Sequence, residues 1–191
     1  VNPLQLILGD EEFLIDRATS SIIRAVRSTM QSNPEELPIT KLRAGDVTPS
    51  EISELLSPSL FAEDRVVILA AAGEAGKEAV STIEQAVKEP APGVVLIVIH
   101  SGGGRAKNLV KILKNAGADV TECPKLTKFS EREDFVVNEF RNLGVRPSRD
   151  TVHALLDAIG GDLRELASAV SQLVADTGGR VDPAAVRRYY A

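Results

Sequence analysis

Two runs of this chain, Val66-Val67-Ile68-Leu69 and Val94-Val95-Leu96-Ile97-Val98-Ile99, are apolar at every position. Successive side chains of a strand point to opposite faces, so a strand without polar alternation needs cover on both sides. Neither run approaches the roughly 20 apolar residues that a membrane-spanning helix requires. Both therefore predict central strands of a parallel sheet held between helices. Leu4 to Leu8, ended by Gly9, reads as a further strand, and Ile39 to Leu42 and Ala118 to Thr121 complete a set of five.

The segments between these strands are amphipathic. From Asp10 a helix is expected with Glu11 and Glu12 in its first turn, where carboxylates favour the free amides, and with Leu14, Ala18, Ile22 and Val26 inward. Thr48, Pro49 and Glu51 form a helix start with a capping box; Ile52, Leu55 and Leu56 make its apolar side and Pro58 ends it. Lys77 to Glu89 repeats the helical spacing at Val80, Ile83 and Val87, and a fourth helix follows Gly102-Gly103-Gly104 as far as Asn115. Strand and helix in regular alternation define an α/β fold.

After Ser130 the strands stop. Ser130 with Glu133, Ser148, Asp162 with Glu165, and Asp182-Pro183 each mark a helix start, and Gly144, Gly160-Gly161 and Gly178-Gly179 mark the ends. The chain is thus expected to hold an α/β domain over 1–127 and a small all-helical domain over 128–191, joined near Pro124 to Phe129. Val1 is not an initiating Met, and the last helix reaches Ala191 without a stop signal, so the sequence is expected to be part of a longer protein.

A net charge of −5 rules out a surface that attracts nucleic acid as a whole; any such contact needs a local basic patch. The one cysteine, Cys123, excludes an internal disulfide and suits a reducing cytoplasm. With no plausible base near it in sequence, it reads as a quiet buried thiol. His100 and His153 fall in different domains without ligating neighbours, so neither a metal site nor a cofactor is expected. No serine sits in a Gly-x-Ser-x-Gly turn, and nothing argues for an enzyme.

An α/β domain followed by a helical lid is the plan of the AAA+ ATPases. The opening Leu6-Ile7-Leu8-Gly9-Asp10-Glu11-Glu12-Phe13-Leu14, the stretch Ser59-Leu60-Phe61-Ala62-Glu63-Asp64-Arg65 with the strand after it, and Gly161-Asp162-Leu163-Arg164-Glu165-Leu166 resemble the delta subunit of bacterial DNA polymerase III. That resemblance covers nearly the whole chain. It implies an AAA+-like five-stranded parallel sheet with a helical lid, in a subunit that binds the sliding clamp and promotes its opening during DNA replication. The family's third domain, the helical collar that joins the other clamp-loader subunits, is expected to be absent. This piece alone is then expected to be monomeric.

A motor ATPase needs Gly-rich backbone, Lys and Ser/Thr after its first strand to hold phosphates and Mg²⁺. Here Gly9 leads into Asp10, Glu11 and Glu12, whose charges repel a triphosphate, and the third strand runs into Leu69-Ala70-Ala71-Ala72 instead of acidic metal ligands. Gly102 to Gly104 precede Lys107 without the Walker spacing, which favours a flexible turn over a phosphate loop. His100 ends a strand near where AAA+ enzymes place a phosphate-sensing residue. The competing readings are a delta-prime-type subunit, whose Ser-Arg-Cys motif is lacking here, and a protein with a degenerate nucleotide site.

For binding, the candidates are Leu60 and Phe61 with Ser59. On composition an apolar pair before a strand packs inward. The resemblance implies the opposite, a pair projecting into a hydrophobic pocket of the clamp. Lys107, Lys111 and Lys114, at i, i+4 and i+7 of the expected fourth helix, are either a solvated face or a contact with the phosphates of primer–template DNA.

Overall fold

The apolar runs occupy the centre of a five-stranded sheet in a computed structural model that describes residues 1–61 and 63–190. Its strands are β1 (Leu4–Gly9), β2 (Ile39–Arg43), β3 (Arg65–Ala70), β4 (Val94–His100) and β5 (Asp119–Cys123). They lie in the order β2-β3-β4-β1-β5, and every neighbouring pair is parallel. Four helices accompany them: α1 (Glu12–Thr29), α2 (Pro49–Leu56), α3 (Lys77–Lys88) and α4 (Leu109–Asn115).

The pleat divides each central strand between two cores. Val67 and Leu69 of β3 and Leu96 and Val98 of β4 pack with Ile52 of α2, Ile83 of α3, and Leu109 and Leu113 of α4. Val66, Ile68, Val95 and Ile97 face the other way, toward Val26 and the partly buried Leu14, Ala18 and Ile22 of α1. That is why these strands carry no polar alternation: both faces are covered. Burying each such side chain stabilises the fold by about 1.5–3 kcal/mol. At the edge the pattern relaxes, and in β5 only Cys123 is buried.

This sheet and its helices form one unit, Val1–Lys125, and a second unit spans Leu126–Ala191. The second holds α5 (Phe129–Asn142), α6 (Arg149–Ile159), α7 (Leu163–Thr177) and α8 (Pro183–Tyr190). Val136, Phe140, Leu155, Leu166, Val170, Leu173 and Val186 are buried in it. Side-chain oxygens that accept the free amides of the first turn start three of these helices. Ser148 Oγ accepts from Thr151 N at 3.1 Å, Asp162 Oδ1 from Glu165 N at 2.9 Å, and Asp182 Oδ1 from Ala185 N at 2.7 Å.

Several expected boundaries move. α1 starts at Glu12 with Glu11 as its N-cap, so Glu12 alone is acidic in the first turn. α5 starts ahead of Ser130, because Glu131 Oε1 accepts from the Lys128 amide at 3.0 Å and fixes the cap there. The helix expected after Gly104 begins only at Leu109; residues 105–108 form turns, which removes Lys107 from the helix proper.

The β1–α1 connection is the tightest backbone approach. Gly9 has φ +144°, and a Cβ there would lie 2.0 Å from the Cys123 carbonyl oxygen. Gly117 also has positive φ, +89°, but a Cβ there meets nothing within 4 Å. Gly9→Ala should therefore destabilise the protein by about 3 kcal/mol or more, and Gly117→Ala by only about 1 kcal/mol. Urea unfolding of the two variants measures the difference; equal losses would show that the Cys123 contact is not what demands glycine at position 9.

Candidate functional site

Two surfaces of the first unit gather the residues singled out in the sequence, and parallel topology separates them. The loop before β3 lies at the starting edge of the sheet, while Gly9 and His100 end β1 and β4 at the opposite edge. Six residues of β3, at about 3.3 Å each, place roughly 20 Å between the edges.

At the starting edge, α2 gives way to Ser57 and Pro58. The Arg65 guanidinium donates to the Ser57 carbonyl and ties the strand to the helix end. Ser59 Oγ accepts from the amides of Phe61 at 3.2 Å and Glu63 at 3.3 Å, which closes a small turn around one hydroxyl. Gly93, at φ +80°, lets the chain before β4 pass close to Glu63: a Cβ there would sit 3.0 Å from the Glu63 carbonyl oxygen. The turn leaves Leu60 99% and Phe61 82% exposed, the most exposed large apolar side chains among the described residues. Ala62, in the same stretch, lies outside the described residues. The inward packing that composition favours does not occur, because Ser59 engages the local amides and the strand's apolar side chains begin only at Val66.

At the finishing edge, the β1–α1 turn is drawn onto β5. The Glu11 amide donates to the Cys123 carbonyl at 3.0 Å, and the Lys125 ammonium lies 3.7 Å from the Glu11 carboxylate. An amide that would face a phosphate in an open glycine loop is here engaged by the sheet. Cys123 itself is buried, and burial first, then the charge of Glu122, raises its thiol pKa. That disfavours the reactive thiolate.

His100 has a clear structural role. It is fully buried; its Nδ1 accepts from the Gly102 amide at 2.8 Å, and its Nε2 lies 2.9 Å from the Ala106 carbonyl oxygen. An acceptor at Nδ1 and a carbonyl at Nε2 fix the neutral tautomer with its proton on Nε2. The ring thereby pins both ends of the Gly102–Gly104 loop. That loop interlocks with the backbone after β3: Ala106 N donates to Gly73 O at 2.8 Å, Arg105 Nε to Glu74 O at 2.6 Å, and a Cβ on Gly104 would lie 2.4 Å from Gly73 O. Of the three glycines, Gly104 is the one this close backbone approach demands, while a Cβ on Gly103 would meet nothing within 4 Å. Arg43 adds a pair with Glu74 at 2.9 Å, exposed on both sides and of little energetic weight.

Lys107, Lys111 and Lys114 are all exposed and line one open concavity at this edge with Asp10, Ser101 and Glu122. Lys107 reaches it from a turn and the other two from α4. The carboxylates of Asp10 and Glu122 partly offset the three positive charges there. His153, in the second unit, hydrogen-bonds through Nε2 to Glu133 at 2.6 Å and stacks edge-on with Phe129. Among the described residues no group of His, Cys, Asp and Glu is placed to hold a metal ion. No described helix is long and apolar enough to cross a membrane.

Sequence reasoning missed the lock around His100 and the Arg65–Ser57 tie. A histidine ending an apolar strand two residues before a triple glycine was the available signal for the first. The second joins residues eight apart through a backbone carbonyl and leaves no compositional trace. His100→Leu should cost about 2–4 kcal/mol, since it orphans both the Gly102 amide and the Ala106 carbonyl. A urea midpoint equal to that of the unsubstituted protein would contradict the lock.

The family model for the DNA polymerase III delta subunit matches residues 6–124. Among solved structures, the chain is similar to the Bacillus subtilis DNA clamp loader delta protein YqeN, with TM-score 0.78 and 23% identity over 100% of this chain and 59% of that one. It is also similar to the Thermotoga maritima RuvB Holliday junction branch migration motor, with TM-score 0.51 and 11% identity over 97% of this chain and 60% of that one. At such identities the likeness concerns the fold, and it places the five-stranded sheet and helices among AAA+-like architectures. The chain spans about three fifths of the length of these structures. No curated protein sequence matches it.

Proposed function

Since the chain belongs to the DNA polymerase III delta-subunit family, we propose that it is the clamp-binding part of a clamp-loader subunit, acting in the cytoplasm during DNA replication. One observation carries the reading. Leu60 and Phe61 stand in water at the tip of a turn whose own hydrogen bonds hold them there. Leaving two such side chains exposed forgoes about 1.5–3 kcal/mol each, a cost recovered when both enter an apolar pocket together. The sliding clamp is the partner that fits this role in the family.

Opening of the clamp then needs no chemistry from this chain. A ligand moves a two-state equilibrium only by preferring one state, so a subunit that binds the sprung form more tightly promotes opening by binding alone. The Glu11–Cys123 hydrogen bond and the acidic β1–α1 turn favour a subunit without catalysis or bound nucleotide, with ATP acting on neighbouring motor subunits instead. Titration calorimetry with Mg-ATP tests that part; micromolar binding would favour the degenerate-nucleotide-site reading. Other clamp-loader subunits are expected to join through a collar domain outside this chain.

Lys107, Lys111 and Lys114 are the candidate contact for primer–template DNA. Their edge lies opposite Leu60 and Phe61, so clamp and duplex need not compete for one surface. Replacing all three with alanine should reduce the slope of log K against log salt for primer–template DNA by about 2 to 3, and an unchanged slope would remove them from the contact.

Retention of purified sliding clamp by the protein tests the main proposal. Leu60→Ala/Phe61→Ala should weaken binding by about a hundredfold or more. Equal retention by both proteins would refute the assignment of this loop.

A further inference from the structure

A pocket for Leu60 and Phe61 accounts for only part of a stable contact. Large side chains bury at most roughly 150–250 Å² each, whereas a specific protein interface takes about 800 Å² from each partner. The remainder has to come from surface continuous with the turn, and the first unit offers a distinct candidate there. Between the last turn of α2 and the α3 face from Ser81 to Ala86 runs an open groove, which reaches Ser57 and Pro58, the residues that lead into the turn.

Its walls are mostly short, polar and uncharged. Ser53 and Ser57 line it from the α2 side, Ser81, Thr82 and Gln85 from α3, with Leu56 half-buried between them. Ser57 and Thr82 return their hydroxyls to carbonyls of their own helices, those of Ser53 and Glu78. Among the described residues the side chains of Ser53, Ser81 and Gln85 have no hydrogen-bond partner, and all three are exposed. Of the charged residues, Glu89 alone lines the groove, at its end. Short, uncharged donors and acceptors are inexpensive to desolvate compared with ions and lose little side-chain entropy when covered. They suit a protein partner that lies in the groove and hydrogen-bonds to its walls.

We propose that the contact with the sliding clamp extends from Leu60 and Phe61 into this α2–α3 groove, which receives the clamp surface bordering the apolar pocket. Leu60 and Phe61 then act as the anchor, and Ser53, Ser81 and Gln85 set the direction in which the clamp lies across the domain. Orientation matters for a protein that opens a ring, because an anchor alone lets the partner pivot. This inference rests on the clamp-binding reading above.

Binding of purified sliding clamp to variants of the whole chain tests it. Ser81 is exposed on α3, and either a long cation or an anion there is compatible with the helix. Ser81→Arg and Ser81→Glu should each weaken clamp binding by at least about tenfold. Gln85→Arg and Gln85→Glu serve as a second pair should either fail to fold. Loss with both signs of charge supports occupancy of the groove. Loss with only one sign would trace to long-range electrostatics and overturns the extension, as does loss with neither. Leu60→Ala/Phe61→Ala, measured alongside, separates the two ideas. If that variant loses the clamp while the Ser81 variants bind normally, the groove is empty in the complex and the anchor stands. If it binds like the unsubstituted protein, the anchor falls and the extension with it.

Discussion

Every central strand of this sheet has an apolar face on each side, and water must be kept from both. Val66 and Ile68 demand α1 as firmly as Val67 and Leu69 demand α2 and α3. That double burial forces parallel strands with helical crossovers, since only a crossover places a helix on the sheet between two strands that run the same way. Once all strands share a direction, the connections sort to two edges. Those after strands gather at one, where β1, β4 and β5 end. Those before strands gather at the other, where the chain enters β3 from α2. The surfaces proposed for clamp and for duplex are apart for this reason.

The two edges differ in hydrogen bonding. At the finishing edge, His100 holds Gly102 and Ala106, Gly73 meets Gly104, and Glu11 is tied to Cys123. The Glu11 and Ala106 amides and the His100 ring are thus engaged within the fold. At the starting edge Ser59 and Arg65 organise the turn by hydrogen bonds to the backbone. The apolar side chains at its tip, Leu60 and Phe61, are left exposed.

Much of this was legible in advance. Unbroken apolar runs identify doubly covered strands because the physical demand is local to each strand. Thr48, Ser148 and Asp162 identify helix starts because a cap acts over three residues. Where the reading slipped, a longer reach was involved. The α5 start moved because Glu131, and not Glu133, found a free amide. The fourth helix shortened because residues 105 and 106 are held by Glu74 and Gly73 across the loop.

By itself the sequence determined the class of fold, the order of its elements and the lack of a glycine-lysine phosphate loop. These follow from periodicity, capping and residue type, all of which act between near neighbours in the chain. Tertiary structure alone decided which way Leu60 and Phe61 face, that His100 is a neutral bracket within the fold, and that Ser53 and Ser81 line one groove. Each of those depends on backbone groups brought together across the fold, and a carbonyl or an amide carries no residue-specific mark in the sequence. An apolar pair reads the same whether it points into the core or into water; the hydroxyl of Ser59, by engaging two amides of its own turn, settles the difference.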